Sequence, residues 1–178
     1  MDIFDDADQA TISTEPRSAS ENVIVDPFID RRRSLTAAIV MVIPALGTIA
    51  AACLAAIHPI RTSDLLLFAV MMSITIGLGI TVGYHRLFTH RSFESPPVVR
   101  FLLATAGAMA FQGPPLYWVS IHRRHHEYSD EHGDPHSPSP VGHGVAGWLR
   151  GLWHGHLGWM MDHEMPDTLH YAPKASAH

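Results

Sequence analysis

Between Ser120 and His136 the chain reads SIHRRHHEYSDEHGDPH, five histidines in seventeen residues, directly behind an apolar stretch. Neutral imidazole is the commonest metal ligand, and a nitrogen-rich set suits Fe, Zn, Cu or Ni. His122, His125 and His126 in HRRHH stand at i, i+3 and i+4, which is one face of a helix. Upstream, His85 and His90 frame HRLFTH. Residues five apart on a continuous helix point in different directions, so this pair suits a helix end. Each group has a plainer reading alone. H-x4-H recurs by chance, and HRRHH with its two arginines would serve as a solvated basic face or an anionic-lipid contact. Together, each just past a membrane segment on the same side, they favour a metal site. Zinc-protease chemistry is excluded, because neither HHEYSD nor HEMPDT completes H-E-x-x-H.

The elements that must position these histidines are apolar. Residues 35–57 and 65–84 are two uncharged runs, each long enough to cross about 30 Å of hydrocarbon. Arg31, Arg32 and Arg33 precede the first run, and only Arg61 lies in the connecting loop. The positive-inside rule then places the N-terminus, and everything after Tyr84, in the cytoplasm. A third stretch, about residues 98–112, is interrupted by Arg100 and Gln112 and is too short to span. It is expected as an interfacial helix, followed by a break at Pro114 and Pro115 and a histidine-bearing helix from about Tyr117. Were it a span, the two histidine groups would lie on opposite sides of the membrane.

Eight of the seventeen carboxylates fall within the first thirty residues, so residues 1–33 are expected to be a disordered acidic tail. A net charge of -5 without a basic stripe argues against nucleic-acid partners. The lone Cys53, mid-way along the first run, needs no role beyond packing. Trp148, Trp153 and Trp159 are spaced as for an interfacial aromatic belt.

GITVGYHRLFTHRSF, then HRRHHEYSDEHGDPHSP, then GHLGW resembles the membrane-bound fatty acyl desaturases, most closely the acyl-CoA (stearoyl-CoA, delta-9) type, over roughly residues 65–160. The resemblance implies an all-α integral membrane fold of four spans, of which this chain would supply the first two, with residues 34–160 as a partial desaturase domain. It implies a non-haem di-iron centre held by histidines, with O2 as co-substrate and no catalytic residue separate from the metal site. Carried over, His85 and His90 match the first histidine box, and His122, His125 and His126 the second. The substrate implied is a fatty acyl thioester or acyl lipid. Electrons must come from an outside protein of ferredoxin or cytochrome b5 type.

The family's third box, H-x-x-H-H, is not matched by His154, His156, His163 or His170. Residues 161–178 are therefore expected to be an atypical tail, and the chain alone to be incomplete and inactive. A decayed or non-catalytic membrane metal-binding protein is the alternative from another class, and a membrane di-iron hydroxylase the enzyme alternative. Asp134 and His136 are expected to orient a ligand imidazole. Arg123 or Arg124 is expected to meet a carboxylate or a substrate head group. Ser73 and Gly77, one turn apart and small, are expected to widen the closed end of an acyl tunnel or to permit close helix packing.

Overall fold

A computed structural model describes residues 22–129, 131, 133–138, 144–162 and 164–172. The expected acidic tail lies outside them up to residue 21. Helix α1 (Pro27–Ile57) begins earlier than the apolar run, because Asp26 caps it by accepting from the Phe28 and Ile29 amides at 2.7 and 3.1 Å and Pro27 fits the first turn. The tail boundary at residue 33 is thus corrected: Arg31, Arg32 and Arg33 are helical. Pro44 sits inside α1 without ending it.

The second apolar run is one continuous helix, Thr62–Thr89. It starts at α2 (Thr62–Met72), where Asp64 accepts from the Arg61 amide, and continues as a π-helix over Ser73–Thr89. The hydroxyls of Thr81 and Thr89 reach back five residues, to Ile76 O and Tyr84 O, as the wider winding requires. Both helices exceed the roughly 20 residues a span needs, and the most apolar window of each is only 6% and 17% buried. A soluble core helix would hide such surface.

Helix α3 (Pro97–Ala108) is too short to cross a bilayer and lies against the π-helix. Glycine explains how closely. A Cβ on Gly79 would sit 2.3 Å from the Gly107 amide nitrogen, and one on Gly107 would sit 2.3 Å from the Tyr84 ring. Small residues let the backbones touch, while Val98, Phe101 and Leu102 face outward. The fully buried Tyr84 donates its hydroxyl to Ala104 O and Gly113 O at 3.4 and 3.3 Å, fixing the turn after α3. In that turn Phe111 and Gly113 have positive φ, which reverses the chain into α4 (Pro115–Glu127), started by two prolines as expected.

Helix α5 (Gly144–His156) leads through a 3-10 turn (Gly158–Met161) to a short closing segment. There β2 (Met165–Pro166) pairs antiparallel with β1 (Val23–Ile24), and a final turn, α6 (Thr168–Tyr171), packs on α4. Residues 164–172 are therefore a docked clasp. Tyr171 and Ala172 are buried, and the Tyr171 hydroxyl donates to Glu127 at 2.7 Å.

Candidate metal centre

The two histidine groups meet where the π-helix ends. His90 caps that helix, and its amide donates to His85 O at 3.0 Å, the five-residue step of π geometry. This step brings the His85 and His90 rings to 4.6 Å between centroids. The expected mismatch of residues five apart therefore does not arise, because the helix is not an α-helix there. Helix α4 lays its histidine face across this end. His122 lies 4.8 Å from His85, 5.5 Å from His90 and 4.7 Å from His126, centroid to centroid. One nitrogen from each of His85, His90, His122 and His126 falls within 4.8 Å of all the others.

His125 looks the other way. Its Nδ1 is 2.9 Å from both oxygens of Asp134, whose side chain is fully buried. A carboxylate only accepts, so His125 donates from Nδ1, which leaves Nε2 as the nitrogen that could face a metal. Asp134 also accepts from the His136 amide at 3.1 Å, and the His136 ring stacks on His125 at 4.3 Å. His125, Asp134 and His136 form a second group of closely spaced donor atoms.

The surroundings of His122, His90 and His136 favour the neutral imidazole, the form that binds metal. Burial, then repulsion from His126, His85, His90 and His125, lowers His122 to about 3. Burial and His85 lower His90, and burial and His125 lower His136. The sign follows directly. Below the ordinary value of 6.5 the unfolded chain takes up a proton that folded His122 refuses down to about pH 3. The metal-free chain is therefore expected to lose stability as pH falls through that window. Denaturant titrations at about pH 7 and about pH 5 check this, with a smaller loss expected for His122→Ala.

Sequence reasoning missed the groups that hold the two boxes together. Arg123 donates to Phe88 O, Thr89 O and Tyr171 O at 3.2, 2.8 and 2.6 Å, so the second box grips the carbonyl end of the first. Arg124 is 2% exposed, donates to Gly133 O at 3.0 Å, lies over the Tyr128 ring and stands 3.9 Å from Glu164. The expected carboxylate partner exists for Arg124, and both guanidinium groups bond within the protein. Ser73 is exposed and bonds Ala69 O, while a Cβ on Gly77 would meet nothing within 4 Å, so close packing falls to Gly79 and Gly83 instead. Trp159 has contacts inside the protein as well. It lies 5.8 Å from His136, and its carbonyl accepts from Arg33. His156 bonds the Leu152 carbonyl of its own helix at 2.9 Å.

Comparison with known proteins gives related sequences. Over 135 residues the chain is 47% identical to a hex-5-enoyl-[acyl-carrier protein] acetylenase from Moorena producens (strain JHB), covering 75% of this chain and 42% of that protein. It is 44% identical over 90 residues to an sn-1 stearoyl-lipid 9-desaturase of Anabaena variabilis, which is 51% of this chain and 29% of the relative. A delta-9 desaturase-like 3 protein of Arabidopsis thaliana is 38% identical over 131 residues, 73% of this chain and 40% of the relative. The chain thus spans less than half the length of each. No family model matches the chain, and no solved structure matches it.

Proposed function

We propose that this chain, which resembles fatty acyl desaturases over about three quarters of its length, supplies the two-box part of a desaturase's di-iron centre in a membrane. One observation carries the reading: the fold gathers His85, His90, His122 and His126 into a single donor set, although the sequence separates the pairs. The donor chemistry fits iron. Neutral imidazoles suit a redox-active transition metal, and the Asp134–His125 pair is the carboxylate–histidine arrangement that orients a ligand.

Each residue then has a task. His85, His90, His122 and His126 offer donor nitrogens within 4.8 Å of one another, and His125 would add Nε2, the nitrogen that Asp134 does not hold. Asp134 fixes the His125 tautomer, and His136 braces that ring by stacking. Arg123 keeps the two boxes in register. When bound, iron supplies the oxidising power that side chains lack. In the overall reaction O2 accepts two electrons from a methylene pair and two from an external donor; with the two hydrogens removed and two protons, it leaves as two waters and a double bond remains. Asp134→Asn is expected to weaken Fe(II) binding about 10–100-fold by loosening His125, as measured by anaerobic chelator competition.

The topology supports a cytoplasmic histidine site. Arg33, at the entrance of the first span, bonds the Trp159 and Asp162 carbonyls at 2.9 and 2.6 Å, and so lies at the histidine end of the fold. The substrate is an acyl chain, on a lipid or on a thioester. The acetylenase similarity favours an acyl-carrier-protein thioester as the second reading. In cells that make the protein, His122→Ala at its own locus is expected to remove one unsaturated acyl species and leave its saturated precursor in place. An unchanged acyl profile would contradict the enzyme reading and favour a non-catalytic metal-binding protein.

A further inference from the structure

Helix α5 carries GVAGWLRGLWHGH, a sequence with two unlike faces. Gly147, Gly151 and Gly155 recur every four residues and form a smooth side turned to the protein. Gly147 and Gly151 are buried, and a Cβ on Gly155 would lie 3.1 Å from Pro138. Opposite them, Val145, Trp148, Leu149, Leu152 and Trp153 follow the spacing of one helix face and are 77%, 60%, 53%, 39% and 56% exposed. Among the described residues nothing covers most of the surface of these five apolar side chains, while Gly147 and Gly151 on the other side are buried.

We propose that this face of α5 lies in the membrane surface, among the head groups and upper acyl chains, on the side where the histidines sit. Its height in the fold carries the argument. Directly after α5, the Trp159 and Asp162 carbonyls are bonded to Arg33, two residues before the first span's apolar run begins at Leu35. The end of α5 is therefore held near the level where the apolar run of α1 begins. Tryptophan favours this depth, where its ring meets acyl chain and its N–H meets head groups. Arg31, Arg32 and Arg150 are exposed, which suits anionic lipid.

The inference rests on the reading of the two long helices as spans, and one experiment separates the two. In a Cys53→Ala background, the whole chain carries an environment-sensitive fluorophore at Leu149→Cys, Arg150→Cys or Ile43→Cys, the last an exposed site mid-span. Each is reconstituted in phosphatidylcholine–phosphatidylglycerol vesicles and quenched with nitroxide-labelled lipid or aqueous iodide. The Leu149 label is expected to be quenched by nitroxide lipid at least about twofold more than the Arg150 label, with iodide giving the reverse order. Iodide access at Leu149 equal to that at Arg150 would overturn the inference. So would shielding from both quenchers, which would mean that a second copy or another protein segment covers the face. Lipid quenching at Ile43 without it at Leu149 defeats only the α5 proposal, whereas none at Ile43 defeats the span reading itself. Leu152→Cys repeats the test should Leu149→Cys fail to reconstitute.

Discussion

Replacing His122 with alanine is expected to weaken Fe(II) binding by at least about a hundredfold, because removing a ligand costs more than the 10–100-fold typical of a supporting residue. His122 is the hub of the donor set. Its ring lies within 5.5 Å of His85, His90 and His126, and its Nε2 faces the His126 Nε2 at 3.1 Å. Trp118 stacks on it at 4.7 Å and holds the ring in place. His125 is no substitute for it, since its Nδ1 is committed to Asp134. Anaerobic chelator competition measures the loss. His156→Ala is the matched control, and is expected to bind as the parent does because His156 bonds within its own helix.

The second large effect is remote from the histidines. Gly79→Val is expected to destabilise the fold by about 1–3 kcal/mol or more, the usual cost of overpacking. A Cβ there meets the backbone of Ala106 and Gly107 at 2.3–2.7 Å, and backbone cannot swing aside as a side-chain tip can. Helix α3 must then move off the π-helix, loosening the Tyr84 bonds that set the turn into α4. Thermal unfolding in detergent should show a fall of about 5 °C, with weaker metal binding following. Gly77→Ala, where nothing lies within 4 Å, should cost no such loss. Equal effects at the two glycines would contradict the packing described for α3.

Much of this architecture was legible in the residues. The two long apolar helices, the short third helix, the proline restart and the helix that carries His122, His125 and His126 follow from length, charge and spacing. The relation of His85 to His90 does not follow, because periodicity arguments assume 3.6 residues per turn and the π-helix breaks that assumption. The clasp at residues 164–172 is equally silent. It is short, lacks apolar periodicity and is held by a strand pair, Tyr171 and the carbonyl contacts of Arg123. Arginine bonding to distant backbone carbonyls leaves no pattern in a sequence, so the carbonyl contacts of Arg33 and Arg123 emerge only from the fold. Asp134 was visible as a candidate beside the second box, and its contact with His125 supplies the geometry.

The most direct measurement is Fe K-edge X-ray absorption of the anaerobically Fe(II)-loaded chain, beside its His122/His125/His126→Ala counterpart. A nitrogen-dominated shell with the outer scattering of several imidazoles is expected, lost together with the bound iron in the triple variant. An oxygen-only shell, or iron that survives the triple substitution unchanged, would contradict a metal centre built on the two histidine boxes.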